Sequence, residues 1–599
     1  MRARQSTAAA ATLLLAVTLA GCSDDPVPAA APAASDIGAA DRQLTADGGT
    51  LRWAVDAVPA TLNVYQPEAT ADSQLVARAV LPSLFRPDDR ARPVADPDYL
   101  VSAESTPPGQ TPQVVTYRLN PKAVWSDGTP LSAADFTAQR SALSGADPAY
   151  RAARPAGYDA IESVAPGADA HEVKVTFKHP YAPWQALFSP LYPAAATASP
   201  AAFNQPLAAD FHTSAGPFVL ADYDPAAGRA GLVRNPRWWG DAAKAERIDF
   251  LATPAAGRLD ALDQGKLDIA GLTDTVDRAT AAPSASQPAS QPASQPASQP
   301  AAAPPDAAAL ALTAASAQAL RRAEALPGLT LHRAAAPALT ELTLNATRGP
   351  LTDPVVRRAV GLAVDRHRTA EAALAPLGLP AVALGNHLLA VGQDGYRDNS
   401  AALGDGPAAR LLDDAGWKAA GSGARSKGGQ ELTLGLLLTD GSATARRTAE
   451  ALTADLGAAG ITVRPQPVAA ADFVSGHLAT GDYDLALFSW PATGSPATDS
   501  RAVYAKPQPG PDGAAQTGSN YARTGTDEID GLFDRAAAEL DPAARSELLQ
   551  QADARIWQLG HSVPLYQRPD LVAVRTGVAG AGAYGLARPR YQDIGFLKG

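Results

Sequence analysis

The chain has 599 residues, a formal net charge of −11 and one cysteine. That length exceeds the size at which a single hydrophobic core stops growing, so at least two domains are expected. The acidic balance argues against nucleic acid or an anionic lipid surface as partner, and one thiol excludes an internal disulfide framework.

Arg2 and Arg4 precede an apolar run from Ala8 to Ala20. The run is too short to span a bilayer and reads as the apolar region of a secretory signal. It ends in Leu19-Ala20-Gly21-Cys22, small residues before a cysteine, a tetrad that resembles the bacterial lipoprotein lipobox. The resemblance implies that residues 1–21 are a signal peptide and that Cys22 is the lipidation site. Two acyl chains give stable attachment where one would be marginal. Residues 22–44, rich in Ala, Pro and Asp, are expected to form a disordered tether. The expected location is therefore the extracytoplasmic face of the cell membrane, lipid-anchored.

Gly49 to Val55 alternates as a first strand, and Leu75 to Leu84 has helical spacing. Val114 to Leu119 alternates again, with Thr116 and Arg118 on one face. Ser132 and Asp135 form an acidic variant of the capping box, which starts a helix to Leu143. Glu172 to Phe177 is a strand. Ala285 to Pro300 is four tandem copies of Ala-Ser-Gln-Pro, whose prolines block helix and ladder alike. This predicts a disordered insertion over 283–305. In Asp353 to Arg366, Asp353 can cap a helix whose first turn holds Pro354, with Val356, Ala359, Val360 and Ala363 as its buried stripe. Ala419 to Gly429 is Gly-rich and polar and reads as a hairpin or connection before a strand, Glu431 to Leu438. Mixed strands and helices indicate an α/β fold.

Five blocks carry a resemblance. Leu119 to Pro130 (LNPKAVWSDGTP) leads into Ala134-Asp135-Phe136; Gly216-Pro217-Phe218 runs on to Trp238-Trp239-Gly240. DPVVRRAVGLAVDR at 353–366, LLDDAGW at 411–417 and YDLALFSW at 483–490 follow in order. The set resembles the family 5 solute-binding proteins, the peptide and nickel receptors of ABC importers. The resemblance implies a class II, two-lobed periplasmic-binding-protein-like fold, large, with an extra subdomain in the first lobe. Lobe one would cover 45–335, with the subdomain at about 85–215, lobe two 336–558, and 559–599 would return to lobe one. A monomer is expected, partnered by permease subunits and by a peptide or another small solute held in the interlobe cleft. An envelope lipoprotein of the same fold that regulates or scaffolds cell-surface glycolipid assembly is the alternative.

The candidate ligand-binding residues follow from the same resemblance. Ser489, Trp490 and Pro491 end the strand that should face the cleft, with Trp490 either a wall for ligand or part of the core of lobe two. Peptide binders carry an acid three residues after that tryptophan; Thr493 stands there, which counts against free-amine peptides, since a buried ammonium needs a carboxylate. Asp499 is the candidate substitute, and would need the loop to rearrange. Tyr566 near the returning hinge, and Tyr65 more weakly, could reach ligand or serve packing. Leu384 to Tyr396 departs from the usual Pro- and Gly-rich version and is more similar to actinobacterial lipoproteins of this fold; His387 within it reads as a surface or packing residue.

No enzyme, cofactor or metal motif competes. HExxH, GxSxG and GxxxxGK are absent, and the eight histidines are scattered. Gly580, Gly582 and Gly585 satisfy GxGxxG, but no βαβ unit follows them.

Overall fold

β-Branched and leucine-rich runs, bounded by Gly and Pro, assemble into one sheet that runs the length of the molecule. The computed structural model describes residues 34–153, 157–205, 213–279, 305–419, 423–510 and 515–599. The expected signal peptide, Cys22 and the Ala-Ser-Gln-Pro repeat lie outside these residues. The ten strands of the sheet are β1 (Thr50–Val55), β2 (Phe218–Asp224), β3 (Arg229–Arg234), β4 (Arg247–Ala252), β5 (Ile269–Gly271), β6 (Leu329–Leu344), β7 (Thr433–Thr439), β8 (Thr462–Val468), β9 (Leu485–Pro491) and β10 (Ser562–Arg575). Their order is β8-β7-β9-β6-β10-β5-β1-β4-β3-β2.

The first lobe is built on β1 to β5, the second on β7 to β9. The long antiparallel strands β6 and β10 run through both. Their ladder is interrupted between Ala335 and Leu339: Ala335 pairs with Pro569 and Leu339 with Gln567, so residues 336–338 face Arg568 alone. A bulge of this kind bends a ribbon without dismantling the flanking rungs.

A separate four-stranded antiparallel sheet (100–105, 114–119, 172–177 and 161–166 in spatial order) belongs to the first lobe. The capping box of Ser132 and Asp135 forms as expected. The Asp135 carboxylate also accepts from Ala194 N at 2.8 Å and from the Trp125 indole at 3.3 Å. Behind this sheet Tyr117, Phe136, Tyr158 and Phe188 make an aromatic cluster, with Phe136 and Phe188 centroids 4.6 Å apart.

Asp353 caps Pro354–Ala363, with Val356, Ala359 and Val360 buried; Ala363 is only partly so. Two expectations need correction. The first helix runs over Ala71–Val80, not from Leu75 to Leu84, because Pro82 cannot continue it. Residues 34–44 are not a free tether: Asp36 and Ile37 pair with Ala583 and Gly582. The Asp36 carboxylate fixes this strap, taking Arg333 N at 2.7 Å and standing 2.8 Å from His332 Nδ1.

Candidate ligand-binding cleft

A cavity of about 840 Å³ opens between the two lobes, within the range of sites that bury small ligands. From lobe one it is lined by the end of the first helix, the turn at 85–93, the segment 182–189 and the returning 586–592; from lobe two by 389–395, 492–499 and the start of the helix Pro542–Leu559. Pro337, inside the ladder break, also lines it. The lobes touch across the opening. Ala182 N donates to Ala537 O at 2.7 Å, and Arg90 and Arg92 lie 3.5 and 3.6 Å from the Asp394 carboxylate.

Each lobe holds its wall differently. In lobe one, the Tyr158 hydroxyl accepts from Phe188 N at 2.8 Å, and Tyr65 Oη and Gln139 Nε2 each donate to Pro190 O at 3.0 Å. A hydroxyl network behind the aromatic cluster thus holds the segment 182–189. In lobe two, the loop 384–396 rests on buried polar side chains. The Asp553 carboxylate accepts from His387 N at 2.8 Å and from Asn399 Nδ2 at 2.7 Å, and lies 2.7 Å from His387 Nδ1. Asn386 Oδ1 takes Leu388 N and Leu389 N, and Gln393 Nε2 donates to Thr493 O at 2.8 Å. His387 is a packing residue, fully buried against Trp557.

The predicted residues divide. Thr493 and Asp499 line the cavity, and the Thr493 hydroxyl donates to Asp499 Oδ2 at 2.6 Å. A carboxylate therefore stands beside the threonine without rearrangement. The other five, Ser489, Trp490, Pro491, Tyr566 and Tyr65, do not line it. On β9, Trp490 is stacked on Tyr521 (5.6 Å, 11°) and its indole donates to Glu341 at 3.2 Å. Ser489 is bonded to Thr340 at 2.9 Å, and Pro491 pairs with Ala338 at the exposed strand end. Tyr566 is buried, its hydroxyl 2.8 Å from Thr448 Oγ1. Tyr65 sits behind the wall among Tyr158, Tyr192 and Pro190.

What the sequence reading missed is the cavity's charge. Among the described residues, seven arginines and four aspartates line it, with no lysine or glutamate. Arg86 pairs with Asp96 at 2.8 Å, and Arg590 with Asp593 at 2.9 Å and Asp98 at 3.6 Å. Arg78 and Arg588 are half-buried, and no carboxylate lies within 4 Å of either among the described residues. Burial, then the neighbouring Arg78, pushes the Arg588 guanidinium down to about 10. The signal available in sequence was the Arg-Pro clustering at 86–93 and 588–590. Trp238, from the second of the five blocks, lines the cavity as well.

The described residues contain no helix long and apolar enough to cross a membrane. The structure is similar to that of a periplasmic EDTA-binding protein, EppA, with a TM-score of 0.76 and 22% identity, over 94% of this chain and 98% of that one. The oligopeptide-binding protein OppA of Mycobacterium tuberculosis is 34% identical over 98% of this chain and 93% of its own length. The probable monoacyl phosphatidylinositol tetramannoside-binding protein LpqW of the same organism is 31% identical, over 44% of this chain and 42% of its own. Residues 102–511 match the family described as bacterial extracellular solute-binding proteins, family 5 Middle. The relatives are binding proteins, not enzymes, and this two-lobed α/β chain, with its cleft between the lobes, belongs to family 5 of the bacterial extracellular solute-binding proteins.

Proposed function

We propose that the protein is the extracytoplasmic receptor of an ABC importer, capturing a peptide or another small solute by closure of the lobes, and that a lipid on Cys22 anchors it to the cell membrane. The observation that carries the reading is the cavity of about 840 Å³ lined from both lobes, with Pro337 of the joining strand β6 at its edge. Burying a ligand there stabilises the closed arrangement by the ligand's preference for it, and a permease reads that closure.

The name of OppA supports a peptide, and its similarity spans nearly the whole chain. The Thr493–Asp499 pair supports it further, because an exposed carboxylate in the cavity can take a ligand ammonium. Pairing of residues 36–37 with 582–583 ties the amino-terminal strap to lobe one, so an anchor at Cys22 would hold lobe one while lobe two swings. The alternative, an envelope lipoprotein regulating glycolipid assembly, rests on the LpqW similarity, which covers under half of the chain.

Thermal melting against peptides, sugars, metal chelates and envelope glycolipids tests the reading. A ligand at 100 times its dissociation constant stabilises by about 2.7 kcal/mol. A rise in melting temperature with peptides or another small-solute class is expected. A rise with glycolipids alone would transfer the protein to the regulatory reading, and no rise with any class would remove the receptor reading.

A further inference from the structure

The chain carries a net charge of −11, yet its cleft has three more arginines than aspartates. The excess is concentrated. Arg86, Arg90, Arg92 and Arg590 all lie within ion-pair distance of aspartates, and their charges are largely answered inside the protein. Arg78 and Arg588 are not. Arg78 donates to the Gln74 side-chain oxygen at 2.6 Å. Among the described residues, the Arg588 guanidinium has no hydrogen-bond acceptor within reach.

Two half-buried guanidiniums on one wall, neither answered by a carboxylate among the described residues, raise the free energy of the empty cleft. Folding alone gives no reason to place them there, since each would be better solvated on the outer surface. A planar fork of donors left unanswered in a cavity matches carboxylate and phosphate oxygens, which accept two parallel hydrogen bonds from it. Arg545 faces the same cavity from lobe two, and among the described residues it is bonded only to the Glu539 carbonyl oxygen, at 3.0 Å.

Taking the cleft as the binding site, as proposed above, we infer that its lobe-one wall carries an anion subsite, formed by Arg78 and Arg588, that takes a carboxylate or phosphate group of the ligand. The ligand class is then narrowed to solutes with at least one such group. A ligand with an ammonium as well would lie with its anion toward lobe one and its cation toward Asp499 on lobe two. Neutral sugars and purely cationic solutes are excluded.

Isothermal titration of the full chain with two matched pairs of probes tests this: N-acetyl-tetra-alanine against its carboxyl amide, and glycerol 3-phosphate against glycerol. At least one anion should bind about tenfold or more tightly than its neutral twin. Preference for the peptide acid identifies a carboxyl terminus as the source of the anion, and preference for the ester identifies a phosphate. Arg588→Gln should weaken the preferred anion by about tenfold to a hundredfold, with Arg588→Lys between the two because it keeps charge and loses the fork. Arg78→Gln, on the surface of a helix, gives the same reading should Arg588→Gln not fold. Equal binding of the twins, anion binding untouched by both Gln substitutions, or binding of neither anion would overturn the subsite. Should the neutral twins alone bind, the cleft remains a receptor and only the anion subsite falls.

Discussion

The two walls of the cleft differ in charge and in what stands behind them. Six of the seven cavity arginines, and two aspartates, are on lobe one; lobe two contributes Arg545, Asp394 and Asp499. Behind the lobe-one wall lie aromatic rings tied by hydroxyls, whereas the lobe-two wall rests on a fully buried carboxylate and its amide neighbours. The difference follows from the segments each lobe presents. Lobe one offers a short turn and the ends of regular elements, which apolar packing can fix. Lobe two offers the loop 384–396, which has few backbone partners of its own and is held by side chains that replace them.

The contrast can be broken most forcefully at Asp553. Asp553→Ala leaves His387 and Asn399 without their shared acceptor in a dry interior, and should cost about 3–5 kcal/mol. Calorimetry should show the loss in the lobe-two transition, and a cost under about 1 kcal/mol would mean that the polar network does not hold that wall.

Tyr158→Phe is the matching test in lobe one. It strips the acceptor from Phe188 N, at a residue already held at φ +56°. A loss of about 1–3 kcal/mol is expected in denaturant melts, with weaker ligand binding because the segment 182–189 loosens. Unchanged binding with reduced stability would separate the aromatic support from the wall it is said to position.

The smallest effect falls on the strands between the lobes, where neither kind of support applies. Burial pushes the Asp570 carboxyl on β10 up to about 6, with Arg568 pulling it back. A raised folded pKa means that this group's contribution is fully favourable below the usual carboxylate range and is lost as pH rises through 6. At pH 8 the ionised group is a net cost, so Asp570→Asn should raise stability there by about 1 kcal/mol, a figure reduced for the water that still reaches the side chain. The gain should vanish by about pH 4, and a gain constant with pH would point to packing instead.

Much of the frame was readable because its signals are local. Ser132 with Asp135, and Asp353 before Pro354, mark helix starts by chemistry that needs no tertiary context. The strand at 114–119 alternates by burial, and its exposed Arg118 meets Glu172 on the neighbouring strand. The cleft was harder to read. As the end of a strand, Trp490 can face either the cleft or the core of lobe two, and the register of β9 on β6 sets it opposite Leu339 and gives its indole to Glu341. Which face a strand end turns to the ligand depends on that neighbour, more than a hundred residues away in the chain. The cavity arginines gave no periodic signal because most stand on turns and irregular returns.

The interruption in the β6–β10 ladder has a mechanical consequence. Residues 336–338 face one residue and the register shifts again between Thr340 and Glu341, so the ribbon can flex there while the longer ladders beyond stay paired. It behaves as a leaf spring thinned over a short stretch, and that stretch reaches the cavity: Pro337 lines it, and its carbonyl oxygen receives Ala492 N from lobe two at 2.8 Å. A bound solute would therefore press on the flexure itself. Occupancy then changes the stiffness of the joint as well as its angle, and a membrane partner would meet a loaded protein that is both more closed and less compliant than an empty one.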